Sequence, residues 1–110
     1  MTLETNENTA IYSTLADDPD FGELVEMYVE EMDDRIVALQ ASHNSGDREK
    51  LRVTAHQMKG SAGSYGFEQL TPLAATLEHA VRDDEPEEVI LESLQSLISA
   101  CRCVRTGTPS

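Results

Sequence analysis

The chain has 110 residues, which is enough for one domain with a single hydrophobic core. Its 8 lysines and arginines against 21 aspartates and glutamates give a formal net charge of −13, an excess of carboxylates that opposes binding to nucleic acid or to an anionic membrane surface. No apolar run approaches the ~20 residues of a membrane-spanning helix, and the N-terminus lacks the basic and apolar regions of a signal peptide, so we expect a soluble cytoplasmic protein.

The hydrophobic periodicity is helical from the N-terminal region onward. Residues 1–10 are polar and expected to be flexible, while the one-sided apolar pattern of residues 9–16 predicts a short covering helix. The triplet Asp17-Asp18-Pro19 predicts the start of a long helix, with a carboxylate at the N-cap and proline in the first turn. This helix is expected to end at residues 44–46. Its apolar stripe consists of Phe21, Leu24, Val25, Tyr28, Val29, Met32, Ile36 and Leu39.

A second long helix follows Asp47, whose side chain can cap its first turn. Apolar residues recur at helical spacing and predict one buried face. That face consists of Leu51, Ala55, Met58 and Ala62. Gly66 is expected to end the helix, since glycine adopts the left-handed conformation at low cost.

Two further helices complete the predicted fold. The third begins at Leu70 or at the capping pair Thr71-Pro72, and the fourth begins after the break at residues 83–86. Their apolar stripes are Leu70, Leu73, Ala74, Leu77 and Val81 in the third, and Ile90, Leu94, Leu97, Ile98 and Cys101 in the fourth. Four amphipathic helices with short connections predict an all-α fold: an antiparallel four-helix bundle over residues 11–105, lidded by the covering helix and followed by a tail at residues 106–110.

The three histidines are the first candidates for chemistry. His43 is expected in a loop without a role, and His79 is expected to face solvent on the third helix. The core positions of the second helix average about 140° away from His56 at roughly 100° per residue, so the His56 imidazole is predicted to point outward.

The neighbours of His56 on the same helical face are two cations and two glycines. These are Arg52, Lys59, Gly60 and Gly63. A glycine inside a helix costs up to ~1 kcal/mol relative to alanine, so a pair of them on an exposed face indicates room for a docking partner. The alternative is that both glycines allow close packing between helices of this chain and that His56 is incidental.

The segment from His56 to Gly66 resembles the signature of histidine-containing phosphotransfer (HPt) domains. That signature has a histidine, an apolar residue two positions on, Lys-Gly-Ser directly after, and a glycine ten residues after the histidine. The matching residues here are Met58, Lys59, Gly60, Ser61 and Gly66. The resemblance extends over roughly Ile11 to Val104 and includes the residues around Asp17-Asp18-Pro19 and the stretch 73–80.

The resemblance implies a phosphorelay intermediate. His56 would accept a phosphoryl group from the phospho-aspartate of a response-regulator receiver domain and pass it to another receiver, with a hybrid sensor histidine kinase as a further expected partner. The receiver would bring the Mg²⁺ and the acidic pocket, so no cofactor or metal is expected in this chain. With no nucleotide-binding segment in the sequence, we expect a phosphoryl carrier and not an enzyme, and we expect a monomer.

The roles implied for the neighbouring residues differ in kind. Unprotonated His56 would be the nucleophile, and Lys59 would neutralise part of the phosphoryl charge and disfavour a cationic ring. Gly60 would provide clearance, together with Gly63. Gln57 and Arg52 are docking candidates that could equally be solvated. Ser61 is expected to project away from His56 and to help pack the helix, and the acidic residues are interpreted as solvated helix faces.

Three alternatives remain open at this point. One is a helical adaptor or inhibitor that keeps the shape and carries no phosphate, and another is the detached phosphoacceptor domain of a chemotaxis-type kinase. The third is a metal-binding bundle that uses His56, His79 and the cysteines. These positions are predicted on separate faces, and Cys101 and Cys103 lack zinc-ligand spacing and lie too close together for a useful disulfide loop.

Overall fold

The computed structural model describes residues 9–108 and is predominantly helical. Five helices pack against each other: α1 (Gly22–Glu30), α2 (Met32–Asn44), α3 (Arg48–Ser64), α4 (Leu70–Arg82) and α5 (Glu87–Cys101). Two short strands, β1 (Ile11–Tyr12) and β2 (Val104–Arg105), complete the described elements. The all-α class is therefore confirmed, and the antiparallel four-helix arrangement stays a prediction. The expected flexible N-terminus lies almost wholly outside the described residues, as do the last two residues of the expected tail.

The predicted covering helix over residues 9–16 is wrong. Ile11 and Tyr12 instead form β1, which pairs in parallel with β2 after the last helix, with Ile11 opposite Val104. The Ile11 N–H donates to the Cys103 carbonyl at 2.8 Å, so the backbone of β1 finds its partner at the other end of the described chain. A partner so distant in sequence leaves no local signal, and the apolar pattern alone favoured a helix.

The helix predicted from Asp17-Asp18-Pro19 begins later, at Gly22. Asp18 Oδ1 accepts a hydrogen bond from the Asp20 N–H at 2.7 Å, and the Asp18 carbonyl accepts from Gly22 at 2.8 Å. The aspartate thus organises a turn ahead of the helix instead of capping it. Phe21 and Leu24, predicted to be buried, are 40% and 42% exposed.

The long first helix is two helices with a break at Glu31. Arg35 donates from Nη1 to the Tyr28 carbonyl at 2.9 Å, an oxygen that a continuous helix would pair with the N–H of Met32. The Arg35 guanidinium also lies 3.8 Å from the centre of the Tyr28 ring. These side-chain contacts stabilise the break, which apolar periodicity does not reveal.

Helix α3 agrees with the prediction at both ends. Asp47 Oδ1 accepts a hydrogen bond from the Lys50 N–H at 3.0 Å, and the four predicted core residues are buried. Gly66 follows the helix with φ of +84°, and a Cβ there would collide with Ser13 Oγ and crowd Thr14. Glycine is therefore required at this turn both by the backbone angle and by the N-terminal segment that lies against it.

Helices α4 and α5 bury the stripes predicted for them, except that Leu73 is half-buried. His43 does not lie in a loop, since it belongs to the last turn of α2. Its Nε2 lies 2.6 Å from Glu87 Oε2 in the first turn of α5, and Arg48 Nη2 lies 2.9 Å from Glu87 Oε1. His43 thus helps to join the turn between α2 and α3 to the start of α5.

Candidate functional site

His56 lies in the middle of α3, on the side of the helix away from the core. Its side chain is 61% exposed, whereas Ala55 and Met58 beside it are buried. The outward direction predicted from helical periodicity is what the structure has. A single buried stripe on α3 fixes this direction, because burying Ala55 and Met58 turns His56 to the opposite side.

One carboxylate contacts both His56 and Lys59. Glu78 Oε2 lies 2.8 Å from His56 Nδ1, and Glu78 Oε1 lies 2.8 Å from Lys59 Nζ. The Glu78 residue is 7% exposed, while its two partners lie nearer the surface. The hydrogen bond from Lys59, helped by that from His56, lowers the Glu78 pKa from its ordinary value against the opposing effect of burial.

The ionised state of Glu78 determines which tautomer of His56 is bound. A carboxylate with a lowered pKa is ionised at neutral pH and can only accept hydrogen bonds. The hydrogen of the neutral imidazole must therefore be on Nδ1, which donates to Glu78. The other nitrogen, Nε2, then holds the lone pair on the edge of the ring opposite Glu78.

Helix α4 is set against α3 so that Glu78 reaches this pair. Thr71 Oγ1 donates to the Lys59 carbonyl at 3.3 Å near the start of α4. A Cβ added at Gly63 would lie 3.5 Å from Thr71 Oγ1, an ordinary contact distance. Gly63 therefore lies next to α4, and the two helices run side by side from there to the Glu78 contacts.

Gly60 has open space around it. A Cβ built at this position meets no atom within 4 Å outside the helix's own nearby backbone. Close packing against another helix among residues 9–108 therefore does not explain this glycine. Because Gly60 has no side chain, the surface beside His56 is open to an approaching molecule.

The other predicted site residues have identifiable surroundings. Arg52 makes two contacts with Glu49, Nη2 to Oε2 at 2.6 Å and Nε to Oε1 at 3.2 Å. Gln57 is exposed on the side of α3 that faces α2. Ser61 Oγ lies 2.8 Å from the Tyr28 hydroxyl, so this serine joins α3 to α1 as part of the packing.

Sequence reasoning missed Glu78. It interpreted the acidic residues as solvated faces, and for Glu78 that interpretation is wrong. A signal was available, because Glu78 directly follows Leu77 and lies four residues after Ala74, both on the predicted apolar stripe. A charged residue at the edge of a buried stripe needs a partner, and His56 and Lys59 provide one across the α3–α4 contact.

The structure disfavours the metal-binding alternative. Cys101 Sγ contacts Met58 Sδ at 3.7 Å, and Cys103 Sγ contacts the Ser99 carbonyl at 3.3 Å. Both thiols are buried, and burial raises the pKa of Cys101 to about 12. Over residues 9–108 no group of three or more His, Cys, Asp or Glu side chains is arranged to hold a metal ion.

Residues 23–102 match the protein-family model described as "Hpt domain". The matched region includes α1 to α5 except for the first residue of α1, and it contains His56, Lys59 and Glu78. Comparison with the curated proteins and with the solved structures found no match. Among the helices within the described range, none is long and apolar enough to cross a membrane.

Proposed function

Because the chain belongs to the Hpt domain family, whose members are phosphocarrier modules in phosphorelays, we propose that His56 accepts a phosphoryl group from the phospho-aspartate of a receiver domain and passes it to another receiver. The observation that supports this best is the contact of His56 Nδ1 with the buried Glu78 carboxylate, on an otherwise exposed ring. This arrangement leaves Nε2 as the nucleophilic nitrogen.

The transfer follows from this tautomer. The Nε2 lone pair attacks phosphorus in line and forms a P–N bond, while the bond between phosphorus and the aspartyl oxygen breaks and the carboxylate leaves with its electrons. No proton moves, because Nδ1 keeps its hydrogen and the ring becomes a cation. Onward transfer is the reverse, with the P–N electrons returning to Nε2 as a new aspartyl oxygen bonds phosphorus.

The residues around His56 have different roles in the proposed transfer. Glu78 orients the ring through Nδ1 and balances the positive charge that the ring gains on phosphorylation. Lys59 lies beside the same carboxylate, within one turn of His56, and is the cation best placed to attract the phosphoryl oxygens. Gly60 and Gly63 have no side chains that would obstruct a receiver approaching the ring, and Gln57 and Arg52 lie at the edge of this surface.

The chemistry that this chain lacks would come from the partner. We propose that the receiver domain contributes the Mg²⁺ and the acidic pocket that surround the phosphoryl group, so that the complex of both proteins is needed for transfer. A hybrid sensor histidine kinase, through its receiver domain, is the upstream partner that we propose, with the chain acting as a cytoplasmic monomer.

The test uses receiver domains phosphorylated in the presence of Mg²⁺ and incubated with this chain. We expect acid-labile, base-stable phosphate on the wild type, none on His56→Ala, and full labelling on His79→Ala, the matched control on α4. Circular dichroism and the Tm check that both variants fold. Labelling that persists on His56→Ala would refute the assignment, and receiver binding without any labelling would favour the adaptor alternative.

A further inference from the structure

The exposed face of α3 around His56 is bordered on its two sides by different helices. On the Lys59 side lies α4, which contributes Thr71 and the buried Glu78. On the Gln57 side lie α1 and α2, joined to α3 by the contact between Tyr28 and Ser61. A receiver that reaches His56 must therefore lie between these two borders, and it contacts at least one of them.

The border formed by α1 and α2 continues into an open groove. Leu24 and Met27 lie three residues apart on α1, and Glu31, Asp34 and Ala38 follow at spacings of three and four from the N-cap of α2. Glu31, Asp34 and Ala38 line a groove of about 330 Å³ together with Arg35, which pairs with Glu31 at 3.3 Å, and Thr54 and Gln57 of α3 form its other side. Gln57 directly follows His56, so the groove opens beside the phosphoacceptor.

The two borders differ in charge. Residues 23–38 expose six carboxylates, namely Glu23, Glu26, Glu30, Glu31, Asp33 and Asp34, against one cation, the half-buried Arg35 that pairs with Glu31. The same stretch exposes Met27 and Val37, at 52% and 60%. Helix α4 has a single acidic residue, Glu78, which is buried in the site, and its exposed residues are uncharged or basic at Pro72, Thr76, His79 and Arg82.

We propose that the α1–α2 border, residues 23–38, selects the receiver domain, and that the matching receiver surface has basic side chains around an apolar patch. This inference rests on the proposed function, and it adds which side of His56 distinguishes one receiver from another. Complementary charges raise the association rate and disfavour partners of like charge. The exposed Leu24 and Met27 supply apolar area beside those charges.

The test compares two charge reversals of equal size, Asp34→Lys at the groove and Glu92→Lys on α5. Both residues are exposed, and each substitution changes the net charge by the same amount, so only position differs. At low salt, Asp34→Lys should lower the second-order rate constant for transfer from a phosphorylated receiver by about three- to tenfold, and Glu92→Lys by less than about twofold. The difference should shrink in high salt, because exposed charges are screened.

A second pair tests the apolar part. Met27→Gln should raise the Kd for the unphosphorylated receiver at both salt concentrations, while Val89→Gln, at an exposed apolar residue of α5 outside the border, should not. The first-order transfer rate within the saturated complex should be unchanged in all four variants. Equal effects of Asp34→Lys and Glu92→Lys, or none, would overturn the proposal. Absence of label on wild-type His56 would instead refute the phosphotransfer function, and the Kd arm would still report on the surface.

Discussion

Glu78 Oε2 and His56 Nδ1 lie 2.8 Å apart across the α3–α4 contact, and the same carboxylate holds Lys59 Nζ at 2.8 Å through its other oxygen. The proposed nucleophile, His56, and its neighbouring cation, Lys59, thus share one buried anion. Two consequences follow from this sharing. The orientation of the ring depends on α4, and any new negative charge on Nε2 competes with Glu78 for Lys59.

Glu78→Gln should slow transfer without unfolding the protein. The amide is nearly the same size, but it removes the negative charge, and its NH₂ group can donate to Nδ1 and so favour the wrong tautomer. We expect the first-order rate in the saturated receiver complex to fall about ten- to a hundredfold, the range typical for losing the partner that orients a metal-bound histidine. Receiver binding should be unchanged.

The control for Glu78→Gln is Glu92→Gln, which removes an exposed carboxylate on α5. Rapid-quench measurement of phosphoryl transfer on both variants separates the effect of position from that of net charge. Wild-type rates in Glu78→Gln would mean that the carboxylate has only a structural role.

The features of the site that depend on α3 alone were predictable from sequence. The period of Ala55 and Met58 fixes the direction of His56, and Asp47 and Gly66 mark the helix ends with local chemistry. Glu78 was not found, because its role depends on how α4 is placed against α3, which no local pattern encodes.

The N-terminal half shows the same limit. The break at Glu31 depends on Arg35 reaching back to the Tyr28 carbonyl, and β1 depends on a strand that follows α5. On either side of Glu31 the helical period is real, whereas in residues 9–16 a short apolar pattern only imitates it. In both places a contact that the period does not reveal determines the structure. Interactions between distant residues override propensity in this way whenever they satisfy backbone groups.

Lys59→Ala should give a partial defect. Lys59 Nζ is held by Glu78 before phosphorylation, so its removal costs the site both a counter-charge for Glu78 and a cation for the phosphoryl oxygens. The side chain is 31% exposed, and solvent screening limits such a contact to roughly 0–1 kcal/mol. We expect slower transfer and a shorter-lived phospho-His56, with receiver Kd unchanged.

The matched control for Lys59→Ala is Lys50→Ala, an exposed lysine in the first turn of the same helix. Decay of acid-labile phosphate at fixed pH measures the lifetime. If both lysine variants have the wild-type lifetime and rate, Lys59 is a solvated helix charge without a role in transfer.

The contribution of Glu78 to the stability of the fold should decrease in acid. Its pKa is lowered from the ordinary 4.5, mainly by the hydrogen bond from Lys59 and further by that from His56. A carboxyl with a depressed folded pKa stabilises the protein fully above its unfolded value and loses this contribution as the pH falls through the folded value. The Tm difference between wild type and Glu78→Gln should therefore be largest above pH 4.5 and shrink below it.

This pH comparison isolates Glu78 because the other carboxyls with lowered pKa values, Glu49 and Glu87, are present in both proteins and cancel in the difference. Thermal unfolding followed by circular dichroism from neutral to acidic pH gives the two curves. A Tm difference that stays constant through this range would mean that the ionised carboxylate does not stabilise the fold.

Gly60 and Gly66 should respond oppositely to the same substitution. A Cβ at Gly60 meets open space, so Gly60→Ala should leave the free energy of unfolding unchanged or raise it by up to about 1 kcal/mol, since alanine is the better helix former. At Gly66 the backbone has φ of +84° and a Cβ would collide with Ser13 Oγ, so Gly66→Ala should lower the Tm.

The rate of transfer to His56 should nevertheless fall as the side chain at position 60 grows from Ala to Gln. The added atoms meet no other part of this chain, but they would obstruct the receiver. The decisive measurement is the Tm together with the receiver-to-His56 rate on the same two variants. Gly63→Ala is measured for comparison, since the added Cβ there would lie against Thr71. A folded, stable Gly60→Gln that transfers at the wild-type rate would show that the open space beside His56 is not used for docking.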